Sequence, residues 1–439
     1  MSSPPSSHLL TSKKTIIKSA GINFATRALP LLAGILAVPF IIAQLGTERF
    51  GLLTLIWAII GYSTLLDAGL GKALTQHVAA KIGSKETESL PSTILTSLLV
   101  SFSMGALGCL ILWLSAPALI DLLKVSLDFK TEAIDSFRLM AISLPFLIGS
   151  IQSTGVFEAH QRFGFINLMN LPVVFANFIF PFIILPFEAS LSALVLGVLV
   201  SRILIFIVFL MRMPHLYAGF FERAPIEIKR LIPLLHYGKW PALNGIVGSL
   251  LSSSDRFILS ALSGASVVAF LTTPFYALNR FHSFITSSLK VLFPAFGTEF
   301  VANPARCRRM YLKTLALMAL LMVVPYGILF GCSHLLLSLW ITAEFAAKAA
   351  PVFSLLALVF YFEGINTVAH NFLDAIGKPK TSTLINFCIL PVYLLVMLWM
   401  ITRYSYVGAA YAYCIKALLE MTLKLVIVEQ THRSRVAQA

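Results

Sequence analysis

The chain has 439 residues, of which 58% are hydrophobic and only 12% charged, with a mean hydropathy of +0.87. A soluble globular chain carries about 25% charged residues, so lipid is the solvent for most of this one and a single water-soluble core is excluded. The formal net charge of +14 would suit nucleic acid, but its distribution along the chain assigns it to membrane topology instead.

In chain order, MSSPPSSHLLTSKK is polar and holds no hydrophobic stretch ending in a cleavage site, so it reads as a short disordered tail. Apolar runs then predict membrane spans near 20–44, 51–80, 92–115, 134–158, 164–187, 189–211, 238–262, 265–294, 312–341, 350–375, 382–402 and 407–428. Each run is long enough for a helix to cross the hydrocarbon, which takes about 20 residues. None alternates with the period of two expected of barrel strands, and membrane depth tolerates only helices or closed barrels. The fold class is therefore an all-α polytopic membrane protein of about twelve transmembrane helices.

With the N-terminus inside, twelve spans put Lys13, Lys14, Lys18, Lys81, Lys85, Arg162, Arg212, Arg223, Lys229, Arg230, Lys239, Arg306, Arg308, Arg309, Lys313, Lys378, Lys380, Lys424, Arg433 and Arg435 on the cytoplasmic side. The other side receives Arg49, Lys124, Lys130, Arg138, Lys348 and Arg403. This excess places both termini in the cytoplasm. Cys109, Cys307, Cys332, Cys388 and Cys414 are dispersed, so no metal knuckle or disulfide framework is expected.

An internal repeat organises these spans. An offset of 218 brings Gly46 onto Gly264, Gly51 onto Ala269, Trp57 onto Phe275 and Lys72 onto Lys290. An offset of 216 brings Glu158 onto Asp374, Arg162 onto Lys378 and Asn170 onto Asn386. The near-constant offset predicts two six-helix bundles in the same orientation, residues 1–211 and 238–439, joined by a basic cytoplasmic linker at 212–237. Between two such bundles a cleft is expected, lined by spans one, two, seven and eight.

Basic residues inside the spans are Arg27, Lys72, Arg202, Arg256, Arg280, Lys290 and Lys416. A charge at a helix centre costs roughly 2.5–3.5 kcal/mol on insertion scales, so these should face water, partners or an anion. Arg280, Ser283, Ser287 and Lys290 form one stripe on span eight, and Asn23 with Arg27 and Lys72 with Gln76 repeat a spacing of four on spans one and two. The substrate-binding candidates are thus Arg27, Arg280, Lys72, Lys290, Asn23 and Arg202. The bland alternatives are snorkelling for Lys72 and Lys290 and, for Arg27 and Arg280, pairing with Asp67, Asp255 or a carbonyl. Lys416 with Glu420 reads as a neutralised pair, Asp255 with Arg256 as an interhelix pairing, and Arg202 has no local partner.

Acidic groups at membrane depth can relay protons or bind cations. Asp67, Asp255, Glu363, His370 and Asp374 are the candidates for ion coupling, with His370 equally readable as a packing residue. No Walker motif, nucleotide-binding glycine loop, nucleophile elbow or metal-binding His pair occurs, so neither an enzyme nor a bound metal or cofactor is expected.

The segments PFIIAQLGTERFGLLTLIWAIIGYSTLLDAGLGKALTQH at 39–77 and SDRFILSALSGASVVAFLTTPF at 254–275 resemble the polysaccharide transport family, the Wzx-type oligosaccharide flippases. That family belongs to the superfamily that also holds MATE exporters and lipid II flippases. The resemblance implies a bacterial inner-membrane flippase that carries undecaprenyl-pyrophosphate-linked oligosaccharide repeat units, of O-antigen, capsule or exopolysaccharide, to the periplasmic leaflet by alternating access. The implied partners are that polyprenyl-pyrophosphate-linked oligosaccharide, membrane lipid and polysaccharide polymerase machinery, with no nucleic acid. A cationic cleft suits a diphosphate, and Trp57, Tyr62, Phe275 and Tyr276 could stack on sugars or be ordinary core residues. The alternative is a MATE-like cation-coupled exporter of small molecules, which a basic cavity opposes.

Overall fold

The computed structural model describes residues 13–67, 69–84, 86–217, 220–221, 225–286, 289, 296, 299–300 and 303–438. For 13–32, 63–65, 230, 233, 235–242, 244, 379 and 433–438 it describes the backbone alone. Asn23, Arg27, Ser287 and Lys290 accordingly lie outside the described side chains.

Among the described residues the chain is helical throughout, with no strand. Helix α1 (Lys13–Asp67) contains two passes that meet at Gly46, and α2 (Leu70–Gly83) carries the second pass on beyond Gly69. There follow α3 (Leu90–Leu122), α4 (Lys130–Ala159), α5 (Phe163–Val174), a π-helical segment (Phe175–Ile179), α6 (Phe180–Ile184) and α7 (Leu191–Arg212). The later elements are α8 (Leu231–Ser263), α9 (Ala265–Thr286), α10 (Pro304–Gly331), α11 (Ser333–Trp340), α12 (Ala343–Ala375) and α13 (Pro379–Gln438), the last folded into two passes at Ser405. With α5, the π segment and α6 forming one pass, this gives the twelve passes expected. One span is corrected. The apolar run at 312–341 is not a single helix but the end of α10, a break at Cys332 and the separate α11, because hydropathy continues through Leu335–Leu337 while the backbone turns.

The repeat is visible in the backbone. Left-handed backbone occurs at Gly46 (φ 77°) and Gly264 (φ 92°), 218 residues apart, and at Gln161 (φ 57°) and Gly377 (φ 79°), 216 apart. Gly46 and Gly264 each reverse the chain between two passes, a conformation that a Cβ would strain. The hydroxyls of Thr54 and Thr272, related by the same 218, lie 3.4 Å apart. Two residues related by a two-fold touch each other only beside its axis, so this contact is consistent with a pseudo-axis between the first six passes and the last six.

Packing follows the small-residue logic of membrane helices, whose association gains little from the hydrophobic effect. Ser97, Ser101 and Gly105 are spaced four apart on α3 and buried, and a Cβ on Gly105 would fall 2.6 Å from the Cα of Pro145 on α4. The opposite stripe, Leu107, Leu110, Ile111 and Leu114, is exposed, as are Leu317, Leu320 and Val324 on α10. Apolar stripes of this length presented outward belong against lipid.

The second half is held by a buried charge network. Lys424 Nζ lies 2.5 Å from Glu420, Lys416 Nζ lies 3.8 Å from Glu420 and 3.7 Å from Glu363, and Asn366 donates to Glu363 at 2.9 Å. Lys416 and Glu420 thus pair as expected, within a larger network. Breaking such a pair leaves an uncompensated buried charge, at a cost of roughly 3–5 kcal/mol. Lys424→Met should therefore lower the thermal midpoint of the purified protein in detergent, and Lys424→Met with Glu420→Met should recover much of the loss. Equal midpoints for the parent and Lys424→Met would refute the network's role.

Candidate functional site: a basic cavity between the two halves

The halves meet chiefly through α1 with α8 and α9, and through α2 with α8, which are the four passes expected to line a cleft. Close approach is built in at Gly51, where a Cβ would lie 2.2 Å from the carbonyl oxygen of Ala265. At the same end Ser260 donates to the Leu123 carbonyl at 2.9 Å and Lys124 Nζ to the Leu262 carbonyl at 3.0 Å. The indole of Trp340 on α11 donates to the Ile35 carbonyl on α1 at 2.7 Å. The contacts of Gly51, Ser260 and Lys124 hold the halves together at the end carrying Gly46 and Gly264, and the Trp340 bond lies deeper, on the wall of a cavity.

Below them opens a cavity of about 590 Å³. Its walls include Trp57 from α1, Asn167, Asn170 and Asn177 from the fifth pass, Arg202 from α7 and Tyr276 and Arg280 from α9. A second chamber of about 330 Å³, toward the end carrying the termini, is lined by Asp67, Lys72, Thr75, Thr154 and Glu158. Asn170, Val173 and Arg202 border both. Arg202, which has no local partner in the sequence, therefore stands where the two chambers join.

Neither Arg202 nor Arg280 makes a hydrogen bond or an ion pair among the described residues, and Arg202 Nε is fully buried without a partner. The alternative pairing of Arg280 with Asp67 or Asp255 does not occur. Asp67 instead accepts from Gln152 Nε2 at 2.9 Å and from the Gly71 amide at 3.2 Å. An unpaired guanidinium at membrane depth is costly unless water or an anion meets it, so the cavity is electrostatically prepared for negative charge. Lys72 is exposed to the second chamber.

The other candidates lie elsewhere. Asp255 is only 2% exposed and does not line the cavity. Its neighbour Arg256 donates to the Tyr276 hydroxyl at 2.8 Å, with its guanidinium 4.8 Å from that ring, the interhelix pairing expected of it. Glu363, His370 and Asp374 lie between α12 and α13, where His370 Nε2 is 3.5 Å from Asp374. Among the aromatics, Trp57 and Tyr276 reach the cavity. Tyr62 hydrogen-bonds Ser254 at 3.2 Å beside an apolar groove, and Phe275 packs on Tyr413 and Phe360. Among the described residues no group of His, Cys, Asp and Glu is placed to hold a metal.

Residues 44–347 match the family described as polysaccharide biosynthesis protein. The chain belongs to that family. A curated relative from Shigella flexneri, named "Putative O-antigen transporter", is 26% identical over 418 residues, 93% of this chain and 96% of its own. A MATE-family multidrug resistance transporter in an inward-facing conformation superposes with a TM-score of 0.79 at 13% identity, covering 94% of this chain and 96% of that one. The lipid II flippase MurJ in an inward closed conformation gives 0.74 at 16% identity, covering 94% and 87%. The resemblance read at 39–77 and 254–275 is borne out, and this member of the polysaccharide biosynthesis family is a multi-pass membrane protein with the transporter fold of the MATE and MurJ superfamily.

Sequence reasoning missed the asparagines of the fifth pass. A spacing rule could have found them, because Asn167, Asn170 and Asn177 at +0, +3 and +10 share one helix face.

Proposed function

We propose that the protein is an inner-membrane flippase that moves undecaprenyl-pyrophosphate-linked oligosaccharide repeat units from the cytoplasmic to the periplasmic leaflet. The observation that carries this reading is the pair of unpaired guanidinium groups, Arg202 and Arg280, on one cavity between the halves. A diphosphate supplies the anion they lack, through charge-assisted and bidentate hydrogen bonds. The family match and the name of the Shigella relative support polysaccharide precursors as cargo.

In this mechanism the bundles 1–211 and 238–439, joined by the linker 212–237, rock about the midplane site. Both termini are cytoplasmic, so the end closed by Ser260 and Lys124 is periplasmic and the described state is shut outward. The head group enters past Lys72, meets Arg202 where the chambers join and passes to Arg280, while the lipid tail stays in the bilayer. Arg27, Asn23 and Lys290, which lie outside the described side chains, are proposed as further contacts of the head group. A coupling ion would act through the acidic groups away from the cavity, Glu363 and Asp374 with His370, or through Asp67 and Asp255. Polysaccharide polymerase machinery takes the product on the far side.

The test is complementation of cells whose own flippase is deleted. Expression should restore polymerised surface polysaccharide and move the lipid-linked repeat to the outer leaflet, where an added periplasmic glycosidase trims it. Repeat units that stay protected from the glycosidase at normal protein abundance would overturn the flippase reading. Resistance to organic cations in the same cells would favour the exporter.

A further inference from the structure

The basic pair accounts for an anion but leaves another part of the same cavity's lining unexplained. That part is the fifth pass, where Pro172, a five-residue π segment and Pro181 interrupt the α-helix. A π segment inserts a residue and rotates the helix beyond it, and such segments occur mostly at functional sites. Here it presents Asn177 and Phe178 to the cavity together with Asn167 and Asn170 from the turns before. Asn167 and Asn170 make no hydrogen bond among the described residues, and Asn177 donates Nδ2 to the Val173 carbonyl at 2.8 Å, which leaves its carbonyl oxygen open.

Two further cavity groups lack partners. Trp57 Nε1 and Thr273 Oγ1 are buried without a hydrogen bond. Polar groups in that position cost free energy unless water or a ligand meets them. None of the five carries a charge. They offer neutral donors and acceptors, next to the ring of Trp57, which stands edge-on to Tyr276 at 5.7 Å between centroids. Amides that donate and accept in one plane, beside an aromatic ring with its N–H free, match the alternating hydroxyls and apolar ring face of a sugar.

Resting on the flippase reading, we infer that Asn167, Asn170 and Asn177 form a sugar-reading wall that selects the repeat unit, while Arg202 and Arg280 hold the diphosphate common to all such lipids. Specificity and affinity are then divided between different residues of one cavity. A cavity of about 590 Å³ has the size of sites for drug-sized ligands and takes roughly two or three sugar rings with the diphosphate. The wall therefore reads a short unit and not a polymer. Hydroxyl recognition by amides on the cavity wall also discriminates, because a sugar lacking the matching hydroxyl leaves the amide unpaired in the bound complex.

The experiment compares two probes on the purified full-length protein in detergent. One is undecaprenyl pyrophosphate, and the other is the same lipid carrying the source cell's own repeat unit; binding is read by quenching of Trp57 and Trp340. The parent protein should bind the glycosylated lipid at least tenfold more tightly. Asn167→Ala and Asn170→Ala should each lower that preference roughly five- to tenfold and leave the bare lipid's affinity unchanged, which also shows that the variants are folded. Equal affinity of the parent for both probes, or an equal loss for both in the asparagine variants, would overturn the inference. Failure of the flippase reading looks different: neither probe binds, or Arg280→Ala leaves the bare lipid's affinity intact.

Discussion

Arg280→Ala should abolish or nearly abolish polymer formation in cells that depend on this protein, at normal abundance in the membrane. The side chain is exposed on the cavity, unpaired, fifteen residues into the ninth helix from Ala265. Hydrogen bonds to charged groups contribute roughly 1.5–3 kcal/mol each, so losing one from the bound state lowers substrate occupancy roughly 10- to 150-fold. Arg280→Lys keeps the charge but loses the planar fork and should retain partial activity, whereas Arg280→Gln should behave like Ala. The measurement is the length distribution and amount of surface polysaccharide, with protein level determined alongside. Normal polymer from Arg280→Ala at normal abundance would remove the diphosphate site. Because the guanidinium pairs with no carboxylate among the described residues, the substitution leaves no described carboxylate unpaired, and a folding defect is not the expected cause of failure.

The helical passes and the repeat could be read from the sequence because both rest on periodic signals. Lipid imposes long apolar runs, and the turn chemistry of Gly46 and Gly264 survives duplication, as their matching φ angles show. Of the stripe drawn from Arg280 to Lys290, the cavity takes Arg280, beside Tyr276 and Ala277 one turn earlier, and not Ser283. Sequence reading failed where a charge has no local company or a polar face no charge. Arg202 sits among Ile, Leu and Phe on α7, so nothing nearby announces that two chambers meet at it. The asparagine wall shares one face at +0, +3 and +10, but a hydropathy window averages its three uncharged amides into the apolar run around them. Asp255 shows the converse error, for an acidic residue read as a candidate for ion coupling is a side chain only 2% exposed, away from the cavity. Polarity sharpens the contrast: among the described residues eight helices are long and apolar enough to cross a membrane by composition, and α9 is not one of them.

Gly51→Leu should lock the protein open at the end that is closed here and stop transport. Even a Cβ at Gly51 would lie 2.2 Å from the Ala265 carbonyl oxygen, and that atom is backbone at the start of α9, which cannot rotate aside as a side chain would. The obstruction lies within one turn of Thr54, whose contact with Thr272 is consistent with a pseudo-axis between the halves. A wedge there forces α1 and α9 apart and takes with it the Ser260–Leu123 and Lys124–Leu262 bonds, which close only when the halves are in register. Alternating access needs both closed states, so holding one open should halt the cycle without weakening either bundle. The check is a pair of spin labels at Asp128→Cys and Glu344→Cys, both exposed on this end in opposite halves, with the native cysteines replaced. The parent should show a short-distance population that Gly51→Leu depletes in favour of a longer one, and Gly51→Ala should fall between them. An unchanged distance distribution together with normal polymer would show that this contact does not gate the movement.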